Sequence, residues 1–151
     1  MTLPSYGLLP GDALSVIRIP PVDRVVKANA QSTGGALSAW ESTFRAGAAS
    51  PLHAHHDAAE FIYVLDGHVS VYFDGNWFEA KPGAFAVVSK GAPHGFRVRS
   101  SETRILFVFS PAAMLGMWEE IAALGQPVDE TTRAALAAKY QMEVLGPLPD
   151  M

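Results

Sequence analysis

A short histidine-rich stretch, residues 47–67, constrains this chain more than any other part of its sequence. His53 and His55 are two residues apart, so both imidazoles leave the same face of an extended strand and can meet one metal ion. Glu60 lies five residues after His55, an odd offset that places it on the opposite face of one continuous strand. A turn over residues 56–59, followed by a second strand, brings the carboxylate back beside the histidines. The stretch therefore predicts a mononuclear metal site.

A third histidine has a similar local setting further along the chain. His94 follows a turn at residues 90–93 and begins an apolar strand, much as His53 begins one, so both are expected near one mouth of a sheet. The predicted ligands are His53, His55, Glu60 and His94. Imidazole and carboxylate ligands suit one divalent transition metal ion per chain, with Fe, Mn, Ni, Co, Cu and Zn all open.

The two blocks together resemble the cupin superfamily. The first matches the family pattern G-x5-H-x-H-x4-E-x6-G at every fixed position: Gly47, His53, His55, Glu60 and Gly67. The second, G-x5-P-x-G-x2-H-x3-N, is matched at Gly83, Gly91 and His94, whereas Ser89 and Val98 replace the usual Pro and Asn. Those two positions shape a turn and a strand end, so the metal interpretation does not depend on them. The resemblance implies an all-β fold, a jelly-roll β-barrel with the metal inside.

A narrower resemblance comes from the run ILFVFSP at residues 105–111, followed by an aromatic-bearing helical pattern. This is similar to the single-domain cupins grouped with quercetin 2,3-dioxygenase. It implies dioxygenation of a flavonol-like or enolisable aromatic or diketone substrate that chelates the metal, with Glu60 as both ligand and catalytic base. Two alternatives stay open: a non-redox isomerase or polyketide-type cyclase that uses the metal as a Lewis acid, and a binding protein without catalysis.

Short strands at even spacing, separated by Gly and Pro, predict a barrel between an irregular start and a helical end. In residues 36–44 the alternation places Trp40, Ser42 and Phe44 on one face of a strand. The predicted organisation is an N-terminal arm at 1–12, a cupin β-barrel at 13–110, a two-helix extension at 111–145 and an irregular tail at 146–151.

The C-terminal extension shows helical patterning. Ser110 as N-cap and Pro111 at the first position predict a helix that ends at Gly125, and a second helix at 130–140 begins after Asp129. The first helix carries one apolar stripe: Met114, Met117, Trp118, Ile121 and Leu124. Packing on the outer surface of the barrel is the favoured interpretation. In the alternative, the stripe roofs the barrel mouth and lines an apolar ligand pocket.

Composition limits the remaining possibilities. A length of 151 residues, with 49% hydrophobic and 17% charged residues, predicts one globular domain. The absence of cysteine from the sequence excludes disulfides and thiolate ligands, and a net charge of −4 without a Lys/Arg cluster argues against nucleic acid. The sequence has no apolar run long enough for a membrane span, so we expect a cytoplasmic protein with a small-molecule substrate. His56 and His68 match no ligand position. The proline-rich arm and an edge strand predict a homodimer.

Overall fold

The computed structural model describes residues 2–125 and 127–151, and strands dominate these residues. The strands are β1 Ser15–Ile19, β2 Val22–Ala28, β3 Ser38–Arg45, β4 Leu52–His55, β5 Ala59–Asp66, β6 Val69–Phe73, β7 Asn76–Ala80, β8 Phe85–Val88, β9 His94–Val98, β10 Glu102–Ser110 and β11 Met142–Gly146. The helices are α1 Ala30–Thr33, α2 Leu115–Leu124 and α3 Glu130–Lys139, with a 3₁₀ turn at Ala112–Met114. Among the described helices, none is long and apolar enough to cross a membrane.

The strands form two antiparallel sheets. One has six strands in the order β1-β2-β3-β10-β5-β8, and the other has five in the order β11-β4-β9-β6-β7. Strands that are far apart in sequence lie side by side, as when β10 pairs with both β3 and β5. The predicted all-β jelly roll with C-terminal helices is therefore confirmed.

Strand β3 supplies a large part of the aromatic core. The predicted shared face of Trp40, Ser42 and Phe44 points into the interior, because all three residues are buried. The Trp40 ring stacks on that of Phe109 with centroids 5.1 Å apart, and the Phe44 ring meets that of Phe107 edge-on at 6.1 Å. Both phenylalanines come from β10, the paired neighbour of β3, so the two strands present one continuous aromatic surface to the interior.

Two turns depend on positive φ angles. The β6–β7 hairpin, predicted at residues 74–76, turns on Asp74 with φ 51° and Gly75 with φ 79°, the combination that a type I′ turn requires. Gly67, the last fixed position of the first pattern, has φ 88°, and a Cβ atom there would lie 2.5 Å from the backbone oxygen of Glu102. The glycine therefore allows the β5–β6 turn to approach β10 closely.

The C-terminal segment differs from the sequence prediction. The second helix is found and Asp129 caps it, accepting a hydrogen bond from Thr132 N at 2.7 Å. The predicted helical extension to residue 145 is wrong for its last part, because Gln141 adopts a left-handed φ of 60° and the chain continues as strand β11. This strand pairs with β4, placing Met142 opposite His55 and completing the five-stranded sheet beside the histidines.

The start of α2 also differs. Ser110 is the last residue of β10, and its Oγ donates to Ala36 O at 2.8 Å instead of capping a helix. A 3₁₀ turn follows, and α2 begins without a side-chain cap. Met117 and Ile121 of the apolar stripe are buried in the core, whereas Leu124 at the helix end is 60% exposed. The predicted stripe is thus one residue too long.

Residues 2–14 form no regular element, in keeping with the predicted arm. Tyr6 holds this arm against its own chain, because its hydroxyl donates to Lys27 O at 2.7 Å and lies 3.1 Å from Ser32 Oγ. The boundary between the arm and the barrel stays a prediction.

Candidate metal centre

Both sheets contribute side chains to one buried cluster. His53 and His55 alternate on β4, and His53 lies directly opposite His94 on β9. Glu60 comes from β5 in the other sheet, after the predicted turn. The two sheets therefore meet at this cluster, and the four predicted ligand residues converge although they come from three strands.

The cluster is compact and withdrawn from solvent. One ring nitrogen from each of His53, His55 and His94 can be chosen so that all three lie within 4.8 Å of one another. Glu60 Oε2 lies 2.9 Å from His94 Nε2, and Glu60 Oε1 lies 3.9 Å from His55 Nε2. All four residues are less than 10% exposed. Three buried imidazoles at these separations are consistent with a single metal site.

Backbone carbonyl groups orient two of the histidines. His53 Nδ1 lies 2.8 Å from Pro51 O, and His94 Nδ1 lies 2.9 Å from Ala92 O. Because a carbonyl oxygen only accepts, each Nδ1 must carry the hydrogen and donate it. The Nε2 atom of each ring then faces the cluster, the arrangement by which proteins fix the tautomer of a metal-binding histidine.

His55 is oriented by packing instead. Its ring meets the Phe109 ring edge-on at a centroid distance of 4.9 Å, and neither of its nitrogens has a hydrogen-bond partner within the described residues. His94 Nε2 is also unpartnered, because its short contact with Glu60 lacks hydrogen-bond geometry. Buried polar atoms are normally paired, since each unpaired one costs about 1–3 kcal/mol. A metal ion would satisfy His94 Nε2 and one nitrogen of His55, so the residues present fit a metal.

Burial and mutual charge set the protonation of the cluster. Burial lowers the pKa of His53, and it lowers the pKa of His55 to about 4, so both rings are neutral at neutral pH. Burial by itself would raise the pKa of Glu60, but the neighbouring histidines, His94 above all, outweigh it and lower that pKa. Burial likewise opposes protonation of His94, but the adjacent Glu60 carboxylate raises its pKa. Without metal, protonation of His94 would balance the charge of Glu60.

The cluster opens into a cavity of about 400 Å³ between the sheets and the C-terminal segment. Its walls are largely apolar and include the aromatic side chains of Trp40, Phe44, Phe96, Phe107 and Phe109. Met114 and Trp118 also line it, so these two members of the apolar stripe face the ligand space, as the less favoured of the two sequence interpretations has it. Phe96 of β9 lines the cavity as well.

Sequence reasoning missed two cationic residues of the cavity, Arg24 and Arg133. The Arg24 guanidinium lies 3.9 Å from the centroid of the Trp118 ring. The alternation of residues along β2 gave a signal for Arg24. It lies two and four residues before Val26 and Ala28, which are buried, so all three belong on one face of the strand. Arg133 lies in the first turns of α3, where the sequence gives no comparable indication.

The two remaining histidines lie outside the cluster, as expected. His56 Nε2 lies 3.1 Å from Glu143 Oε1, and His68 Nε2 lies 2.9 Å from Glu79 Oε2, both at partly exposed positions. Their carboxylate partners belong to neighbouring strands, so these contacts hold sheet surfaces together.

Two antiparallel sheets with a histidine-rich cluster between them define the cupin class of β-barrel. Residues 40–109 match the family model described as a cupin domain. This part of the chain is a cupin domain, and the resemblance seen in the sequence patterns is confirmed.

Known proteins similar to this chain carry out different reactions. The quercetin 2,3-dioxygenase of Bacillus subtilis (strain 168) is 30% identical over 114 residues, which cover 76% of this chain and 33% of that protein. The chain thus spans a third of the length of that curated relative. An RmlC-like cupin from Shewanella frigidimarina NCIMB 400 gives a TM-score of 0.61 at 24% identity, covering 74% of this chain and 96% of that one. Ectoine synthase from P. lautus gives 0.58 at 19% identity, covering 93% and 88%. The two structures show a shared fold, and a fold does not by itself fix an activity.

Proposed function

We propose that this protein is a metal-dependent cupin dioxygenase acting on an enolisable aromatic or diketone substrate, such as a flavonol. The observation that carries the proposal is the buried cluster of His53, His55 and His94 with the Glu60 carboxylate 2.9 Å from one imidazole. The sequence similarity to quercetin 2,3-dioxygenase supports oxygen chemistry over the other reactions that such a cluster can serve.

The four side chains would hold one divalent transition ion. His53 and His94 offer Nε2 because their Nδ1 atoms donate to backbone carbonyls, and His55 has no competing partner. A redox-active ion supplies Lewis acidity for the substrate oxygens and a route for electrons between an enolate and O2. Zinc fits the same ligands and would serve only the first of these roles.

Glu60 has a second role in this proposal, as acceptor of the proton that leaves an enolisable substrate. Its carboxylate is ionised at neutral pH, so it is available to take a proton. Burial favours the protonated carboxyl and the neighbouring histidines favour the carboxylate, and the net effect lowers the pKa of Glu60, so the proton that it accepts must come from an acidic position such as that of an enolisable substrate. The Glu60 carboxylate lies between the imidazoles of His55 and His94, a position that suits proton transfer within the site.

The cavity suits a flat apolar substrate. Its volume of about 400 Å³ falls in the range of roughly 300–1,000 Å³ that is usual for small-molecule sites. Aromatic side chains from β3 and β10, with Trp118 and Met114 from the C-terminal segment, line the cavity, and Glu60 itself is buried. An enolate formed there is protected from reprotonation by solvent.

The test is oxygen consumption by protein purified without an affinity tag and loaded separately with each candidate metal. A panel of flavonols and enolisable diketones is assayed under air and under argon, and the metal content of the same preparations is measured. We expect O2 uptake with at least one redox-active metal and none with His53→Ala, whereas the surface variant His68→Ala stays active. A product of unchanged mass formed under argon would favour the Lewis-acid isomerase or cyclase. Binding without turnover would favour a binding protein.

A further inference from the structure

The cavity that contains the histidine cluster also contains an unbalanced positive charge. Arg24 and Arg133 both line it, and the described residues contribute one carboxylate to its walls, that of Glu60. Glu60 is already in contact with His94, and a bound divalent ion would share the same carboxylate. Neither arginine forms an ion pair with any carboxylate of the described residues.

Arg24 is placed in the cavity by the strand that carries it. Arg24 lies two residues before the buried Val26 on β2, so the two side chains share the inner face of the sheet. The guanidinium lies 3.9 Å from the centroid of the Trp118 ring, so its face is covered while its N–H edge remains free to donate. Burial, and then the charge of Arg133, lower the pKa of Arg24 to about 10, so it remains a cation at neutral pH.

A guanidinium in apolar surroundings is stabilised strongly by an anion that accepts its hydrogen bonds. Charged groups that are partly buried are normally paired, because the free energy lost when they leave water is larger than a contact with an uncharged group can restore. Arg presents parallel N–H donors that match the two oxygens of a carboxylate. The aromatic walls between Phe44 and Phe109 would meanwhile accept an apolar body of the same molecule.

We propose that Arg24, assisted by Arg133, binds the carboxylate of an organic acid, so that the substrate is an anion with an aromatic or apolar body. This deepens the proposed function and rests on it only for the reaction that follows binding. The acid group would be held by the arginines while the enolisable oxygens reach the histidine cluster. A neutral flavonol then fills the cavity but lacks the group that Arg24 selects.

Binding is tested on metal-free protein, so that the result does not depend on turnover. The probes are 3-phenylpropionate and its neutral amide, 3-phenylpropionamide, which have nearly the same shape, and affinity is measured by calorimetry. We expect the acid to bind the wild type at least about tenfold more tightly, because a charge-assisted hydrogen bond contributes that much or more. Added salt should reduce the preference.

The variants assign the preference to named side chains. Arg24→Gln should remove most of it, Arg133→Gln part of it, and Arg24→Lys should retain some because the charge remains. Arg18→Gln is the matched control, since Arg18 lies on the same hairpin but is exposed and does not line the cavity. Thermal unfolding of each variant separates a lost site from a lost fold.

The wild type alone can overturn the proposal, whatever the variants do. Equal affinity for acid and amide contradicts it, even if the loaded enzyme consumes O2. A preference that survives both arginine-to-glutamine substitutions shows that other groups hold the carboxylate and also contradicts it. If Arg24→Gln abolishes the preference for the acid but the wild type shows no O2 uptake, the carboxylate site is supported and the dioxygenase proposal is rejected.

Discussion

The Nε2 atom of His94 lies 2.9 Å from Oε2 of Glu60, although β9 and β5 belong to different sheets. His94 Nδ1 already carries a hydrogen that it donates to Ala92 O, so a second proton on Nε2 makes the ring a cation facing the carboxylate. The raised pKa of His94 and the lowered pKa of Glu60 both follow from this pairing. When His94 is protonated in the metal-free protein, its Nε2 proton therefore lies where a metal ion would join the two side chains.

Metal binding should consequently release a proton. Below the raised pKa of His94, we expect about one proton per ion, and an apparent affinity that rises about tenfold for each unit of pH. Calorimetry in two buffers of different ionisation enthalpy measures the release. In Glu60→Gln the pKa of His94 is no longer raised, so the release at a given pH should be smaller. A binding heat that is the same in both buffers for the wild type would contradict this.

Loss of one imidazole should empty the site without unfolding the barrel. We expect His53→Ala and His94→Ala to hold well below one metal ion per chain, measured by elemental analysis, while circular dichroism stays that of a β protein. The reason is that the core is built from apolar residues such as Ile62, Val64 and Ile105, which do not depend on the ion. His68→Ala is the control, because His68 lies at the sheet surface. Full occupancy in both cluster variants would refute the ligand set.

The buried ring of His55 should make the metal-free protein less stable in acid. Its pKa is lowered by burial from the ordinary 6.5 to about 4, so between these values the unfolded chain binds a proton that the folded chain does not. Stability is therefore full above pH 6.5 and falls as the pH falls towards 4. His94 acts in the opposite direction, because its raised pKa favours the folded protein as it protonates.

The contribution of His55 is isolated by comparing the wild type with His55→Leu. Urea unfolding with a chelator present, at about pH 7.5 and about pH 5, should show the stability difference between the two proteins change by about 2 kcal/mol, to the disadvantage of the wild type in acid. An identical pH dependence in the two proteins would show that His55 titrates normally.

The sequence predicted what is local and periodic. The spacing of His53, His55 and Glu60 identifies a strand, a turn and a second strand within 8 residues, so their convergence needs no knowledge of the rest of the fold. His94 was found because its strand start resembles that of His53. The family patterns cover the same residues, which is why local reasoning and resemblance agree here.

The features that were missed depend on distant pairing. Arg24 reaches the cavity because β2 pairs with β3. Helix α2 packs against β1, the other neighbour of β2, and so places Trp118 beside Arg24. Strand β11 forms because the edge of β4 is available to pair, and the run from residue 142 to 146 has no strong periodicity of its own. The alternation within β2 indicates that Arg24 faces inward, but neither its contact with Trp118 nor the pairing of β11 with β4 can be recognised in a short window of sequence.

We retain the proposal that two chains associate. Strand β8 is an edge of the six-stranded sheet, and its Phe85 and Val87 side chains are 55% and 50% exposed. An unpaired edge with apolar side chains invites pairing with a second copy. Light scattering at micromolar concentration should give twice the chain mass of 16.1 kDa, and Val87→Lys should lower it. Leu124→Lys, at an equally exposed apolar position on α2, should not. A wild-type mass of one chain would overturn the dimer.

The two roles proposed for Glu60 can be separated by Glu60→Gln. The amide keeps an oxygen near the cluster but removes the basicity, and three imidazoles remain within 4.8 Å of one another to hold the ion. We therefore expect metal content to fall only modestly while O2 uptake falls about a hundred- to ten-thousand-fold, the usual contribution of a general base. Both quantities are measured on the same preparations of wild type and variant, with Glu79→Gln as a control carboxylate at the sheet surface. Parallel loss of metal and activity would make Glu60 chiefly a ligand, because a neutral amide binds a divalent cation more weakly than a carboxylate. Unchanged turnover in a metal-loaded variant would exclude Glu60 as the base.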